Sequence, residues 1–171
     1  RSAAVLQPRI DLIHGQLLRG LPDRDRIQEE RWKAGYDLAM GRILAMKVRT
    51  DAYNLMLARA KAGMQFKSPR SDTWTLRPSN VVSVGSRTEK LAKQARIYLQ
   101  RVIEDHPGTP WEFLADRELN QPLGYEWKEI HTGINDPPKP RPPGNNNRPS
   151  PRDDKPRSLG PPMPKRNLKR I

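Results

Sequence analysis

The chain has 171 residues, with 32 Lys and Arg against 19 Asp and Glu, for a formal net charge of +13. That length suits one domain with some chain to spare. There is no cysteine, which excludes disulfides and thiolate metal sites, and no apolar run nears the roughly 18 residues of a membrane span. No signal peptide is visible. The first residue is Arg1 rather than Met, so the chain is expected to be a fragment or a processed piece.

The first predicted element is a helix over Ala3 to Leu21, where Val5, Leu6, Ile10, Ile13, Leu17 and Leu21 keep helical spacing. Pro22-Asp23 breaks it and can open the next helix. That next helix is predicted to be long, Arg24 to Lys61. Its main apolar row is Trp32, Tyr36, Ala39, Ile43, Met46, Thr50, Tyr53, Leu57 and Ala60, and Met40, Leu44 and Met56 form a second row. The opposite face carries Arg31, Lys33, Arg42, Arg49, Arg59 and Lys61. Gly63 lies where a helix end favours glycine.

Residues 64–87 form an irregular insert with Pro69, Pro78 and Gly85. Its strand-like pieces, "TWTLRP" and "NVVSV", are too short to predict a sheet. The insert is expected to pack on the helices through Phe66, Trp74 and Leu76, as a short hairpin.

A capping box at Ser86–Glu89 then predicts a helix start, with hydroxyl and carboxylate satisfying free backbone N–H groups. Leu91, Ala95, Leu99, Val102 and His106 make one face, with Tyr98 and Ile103 beside it. Pro107 bars the helical conformation at His106, and Gly108 supplies any positive φ the turn needs. Thr109 to Glu112 is a second capping box, with Pro110 at the first helical position, where its missing N–H costs nothing. Trp111, Leu114, Ala115 and Leu119 form the short helix's apolar face, and Pro122 ends it. Leu123, Tyr125 and Trp127 are expected to fold back as a clasp.

From Asp136 onward the composition changes. This segment holds 11 of the 18 prolines and ten Lys and Arg against three Asp, or +7. It has almost no large apolar residues, so burial cannot offset the entropy of ordering it. Residues 136–171 are therefore expected to be a disordered basic tail of polyproline character, and 1–135 a helical domain.

Ala95, Leu99, Val102 and Pro107 lie at offsets 0, 4, 7 and 12. This resembles the second helix of a tetratricopeptide repeat. A full repeat of about 34 residues needs a helix before Ala95, where Pro78, Asn80 and Gly85 stand instead. The resemblance therefore implies a half-unit whose partner is the long helix. More broadly, "RWKAGYDLAMGRILAMKVRTDAYNLMLARAKAGMQF", "TWTLRPSN" and "YLQRVIEDHPGTPWEFLADRELNQPLGYEWKE" resemble the C-terminal region of planctomycete proteins with an upstream von Willebrand factor A domain. That likeness spans Arg31 to Glu129. It implies a bacterial protein, exported or in the cell envelope, with the upstream domain as a candidate partner. The metal loop of the von Willebrand domain is not in this chain, so no metal binding carries over.

Catalytic signals are sparse. His14, His106 and His131 stand singly, without zinc-ligand spacing. "DRDRIQEE" (Asp23 to Glu30) reads as acids favoured in a first helical turn. No phosphate-binding glycine loop, dinucleotide fingerprint or nucleophile elbow occurs. Trp32, Tyr36, Tyr53, Trp74, Trp111, Tyr125 and Trp127 read as packing residues. The tail offers candidate anion contacts at Lys139, Arg141, Arg148, Arg152, Lys155, Arg157, Lys165, Arg166, Lys169 and Arg170. It also holds a PxxP-like stretch, Pro140-Arg141-Pro142-Pro143, and its composition fits a solvated spacer best.

The expected fold is all-α: helical hairpins with one tetratricopeptide-like joint formed by Ala95, Leu99, Val102, Pro107, Gly108, Thr109, Pro110, Trp111 and Glu112. The expected function is a non-catalytic accessory or protein-interaction domain of a larger bacterial protein, with protein partners and no cofactor. The alternative is an electrostatic binder of anionic polymer or nucleic acid, through the basic tail and the cationic face of the long helix. An enzyme with an unrecognised site is the third.

Overall fold

The computed structural model describes residues 2–137. In chain order they form α1 (Ser2–Gly20), a 3₁₀ turn (Leu21–Arg26), α2 (Glu30–Lys61), β1 (Thr73–Ser79), α3 (Ser86–Asp105), α4 (Pro110–Leu119) and β2 (Gly124–Ile130). All belong to one unit, Arg1–Asn135.

Helix α2 is the axis, and α1, α3, α4 and β2 all pack against it. Its sequence allows this because small and large apolar residues alternate around most of its circumference. Met40, Leu44, Val48 and Met56 meet Ile10 of α1, Ala92 and Ala95 of α3, Val82 and Val84 of the insert, and Leu123. Leu38 meets Leu99, Val102 and Ala115 in a second cluster, with Trp111, Leu114 and Leu119 against it. Each such Leu or Val contributes about 1.5–3 kcal/mol by leaving water.

The α2–α3 contact is closest at Gly41. A Cβ there would lie 2.7 Å from Leu99 Cγ and 3.3 Å from Leu99 N, so only a bare Cα fits without displacement.

The fold is mostly helical but not all-α. β1 and β2 pair antiparallel, from Thr73 opposite Ile130 to Ser79 opposite Gly124. The expected hairpin within the insert and the expected C-terminal clasp are thus two strands of one sheet. Each strand's partner lies beyond two helices, so neither piece signals a sheet alone. Trp127 Nε1 donates to the Met56 carbonyl of α2 at 3.1 Å, tying the sheet to the axis. Phe66 stacks on Trp74, with ring centroids 5.2 Å apart. Glu129 accepts the backbone N–H groups of Lys67 (2.7 Å) and Ser68 (3.1 Å).

Two local expectations change. The long helix starts at Glu30 rather than Arg24, because Pro22 opens a separate 3₁₀ turn. The Ser86 capping box does not form. Gly85, at φ 132°, is the cap residue without a side-chain cap bond, and Ser86 is already helical.

Candidate functional site

The α3–α4 joint folds much as its residues dictate. Ala95, Leu99 and Val102 are buried. His106 ends α3 in a non-helical conformation before Pro107, and its Nδ1 lies 3.8 Å from a Glu30 carboxylate oxygen. Gly108 takes φ 74° to turn the chain. Thr109 Oγ1 accepts the Glu112 N–H at 3.4 Å, ahead of Pro110 in the first turn of α4. The Glu112 carboxylate accepts the Gly108 N–H, one residue earlier than a standard box. Trp111 packs on α2 at Gly35, where an added Cβ would come 3.9 Å from the indole nitrogen. Of the joint's apolar residues, Leu99, Val102 and Trp111 therefore serve the second core cluster and Ala95 the first.

Three charged clasps join elements, and the sequence reading did not anticipate them. Asp37 on α2 is fully buried. Arg24 of the 3₁₀ turn grips both of its oxygens, with Nε at 3.0 Å from Oδ1. Arg101 of α3 stands 3.8 Å away. The hydrogen bond to Asp37 raises the Arg24 pKa above its usual value. Lys47 lies between Asp11 of α1 and Asp51, the latter at 3.7 Å. Burial and the Lys47 charge hold the His14 imidazole below its ordinary pKa. Glu118 of α4 is held by Arg49 and by Arg42, the latter at 3.5 Å. Arg49 also donates to the carbonyls of Pro122 (3.0 Å) and Gln121 (3.4 Å), closing the end of α4.

The bonds to Glu118 and α4 turn Arg49, on the supposed anion-binding face of α2, inward. Arg59 stays exposed while donating to the Ser83 carbonyl at 3.1 Å. The tail's candidate contacts, Lys139, Arg141, Arg148, Arg152, Lys155, Arg157, Lys165, Arg166, Lys169 and Arg170, lie outside the described residues. Among the described residues no three His, Asp or Glu side chains converge as a metal site would require. No described helix is long and apolar enough to cross a membrane.

What remains prominent is apolar. The main row read on α2 is split: Ile43 is buried and Tyr36 packs on the core, while other members face outward. Met46 is 43% exposed, and Tyr53 and Leu57 are each 38% exposed. Ala39 is exposed on the same line. The second row, Met40, Leu44 and Met56, is the buried one, joined by Val48 and Ala52. On α1, Leu6 (45%) and Ile13 (46%) are exposed beside the buried Ile10. On the other side, Tyr125 of β2 meets Tyr53 edge-on, with centroids 5.7 Å apart.

No protein-family model, curated protein or solved structure matches the chain.

Proposed function

We propose that the chain is a non-catalytic accessory domain for protein–protein interaction within a larger bacterial protein. The exposed Met46, Tyr53 and Leu57 on one line of α2, together with the exposed Leu6 and Ile13 of α1, are the observation that carries this. Several large apolar side chains left exposed along one helix line are the kind of surface that interaction sites on folded proteins use. The charged clasps support the same reading. Asp37, Lys47 and Glu118 each hold two elements together, as structural ion pairs do. That the chain is part of a larger bacterial protein rests on the wording of residues 31–129.

The test is capture from a native extract at low and high salt, using the full chain and a chain ended after Asn135. A protein partner should survive both high salt and truncation. Capture of anionic polymer alone, lost with salt and with the tail, would overturn the proposal in favour of counterion-driven binding.

A further inference from the structure

We propose that the exposed face of α3 pairs antiparallel with the same face of a second copy of this chain, so that the domain self-associates weakly about a twofold axis through Ile97. This goes beyond the interaction-domain reading, uses a different surface and does not depend on it.

The face carries charges that the fold itself leaves unused. Arg87, Lys90, Lys93, Glu104 and Asp105 are all exposed, and Ile97 among them is 57% exposed. Among the described residues, none of these five charged side chains forms an ion pair. Glu104 only accepts the Gln100 amide at 3.1 Å, within the helix. Arg101, at the edge of the face, is turned toward Asp37 and over the Tyr98 ring.

The order of these charges is the reverse of what a lone helix favours. Arg87 and Lys90 stand near the start of α3, while Glu104 and Asp105 stand in its last turn, which holds no basic residue. The macrodipole favours acids first and cations last. An antiparallel neighbour resolves the conflict, because it sets the acidic end of each helix beside the basic end of the other.

The spacing makes the match specific. Lys90, Ile97 and Glu104 are seven residues apart, so they share one line of the helix with a drift of about 20° per step. With Ile97 on the axis, Lys90 of each copy faces Glu104 of the other, and the two isoleucines meet. Arg87 and Asp105 are eighteen residues apart, about five full turns at 3.6 residues per turn, so they lie on one flank. A twofold axis perpendicular to the helices keeps each flank on its own side, so Arg87 faces Asp105 of the other copy. Lys93, on the other flank, faces the uncharged Gln100. A parallel pair would instead set like charge on like. An anionic polymer fits less well, since Glu104 and Asp105 would repel the phosphates that Arg87 and Lys90 attract. One pair of 20-residue helices covers less than the roughly 1,200–2,000 Å² of a stable complex. The dimer should therefore be weak, with a dissociation constant on the order of 100 μM.

The experiment is sedimentation equilibrium of the full chain, at concentrations up to about ten times that constant and at low and high salt. A monomer–dimer equilibrium that weakens with salt is expected. Lys90→Glu and Glu104→Lys should each weaken it at least about tenfold, because each sets like charges across the axis twice. An equimolar mixture of the two variants should recover dimer to within about threefold of the native chain, since each supplies the charge that the other lacks. Both positions are exposed, so circular dichroism should be unchanged. The chain has no cysteine, which allows a direct check. Under a mild oxidant, Ile97→Cys should form a disulfide-linked dimer much faster than Phe113→Cys, a position 68% exposed on α4. A chain that stays monomeric throughout, or a dimer indifferent to the charge variants, would overturn the proposal. So would failure of the mixture to recover dimer. Self-association lost in Met46→Glu but kept in both charge variants would also overturn it, by placing the second copy on α2.

Discussion

The Asp72 carboxylate accepts the Thr132 N–H at 2.8 Å, the Thr132 hydroxyl at 2.9 Å and the Ile134 N–H at 3.1 Å. The backbone bond from Thr132 is the largest influence, and together the bonds lower the Asp72 pKa to about 2. A carboxyl whose pKa is depressed on folding stabilises the fold above its unfolded value, near 3.9, and loses that contribution as pH falls toward its folded value. The stabilising effect of Asp72 should therefore be complete at neutral pH and fade between about pH 4 and pH 2. Urea midpoints of the native chain and Asp72→Asn, taken across that range, should converge as the solution is acidified. A constant gap down to pH 2 would contradict the assignment. Glu129 is shifted the same way, first by the Lys67 backbone N–H. None of this was legible in the residues alone. An Asp in a Ser- and Arg-rich loop looks solvated until its donors arrive from the far end of the unit. Arg24 was hidden for a similar reason: "DRDR" suggests acids at a helix start, while the clasp on Asp37 depends on a turn bringing that guanidinium inward.

At the scale of elements, α2 holds the main lesson. Its two apolar rows satisfy the helical period equally well. Counting large residues favours the row with Trp32, Met46, Tyr53 and Leu57. Packing favours the other, joined by Ile43 and Tyr36 of the first, because Gly41, Ala45 and Ala52 let neighbours come close, and closeness buries more surface than side-chain size alone. Gly41→Ala should therefore force α2 and α3 apart at Leu99, at a cost of about 1–3 kcal/mol, measured by urea unfolding. Combined with Leu99→Ala, which removes the obstructing atoms, the two costs should sum to less than their separate values. Full additivity would mean that the two residues do not share the contact. The joint at Thr109 lies at the legible extreme. Its cap, proline and glycine act within five residues, so local chemistry suffices.

For the whole molecule, the two-stranded sheet decides how the insert is held. β1 has β2 as its partner, Glu129 holds the Lys67–Ser68 backbone, and Asp72 reaches Thr132 and Ile134. Ending the chain after Gln121 would remove every one of these anchors. Limited proteolysis should then cut between Met64 and Ser79 much faster than in the full chain, while the α3–α4 hairpin stays protected. Equal cleavage rates would show that the insert holds itself. The sequence by itself determined the helices, the turn between α3 and α4 and the position of the insert, since each depends on spacing and caps a few residues apart. Tertiary structure alone decided which residues of the two α2 rows are core, which arginines face inward, and that insert and clasp form one sheet. Those outcomes depend on partners distant in the chain, whose contacts exist only once the helices have packed.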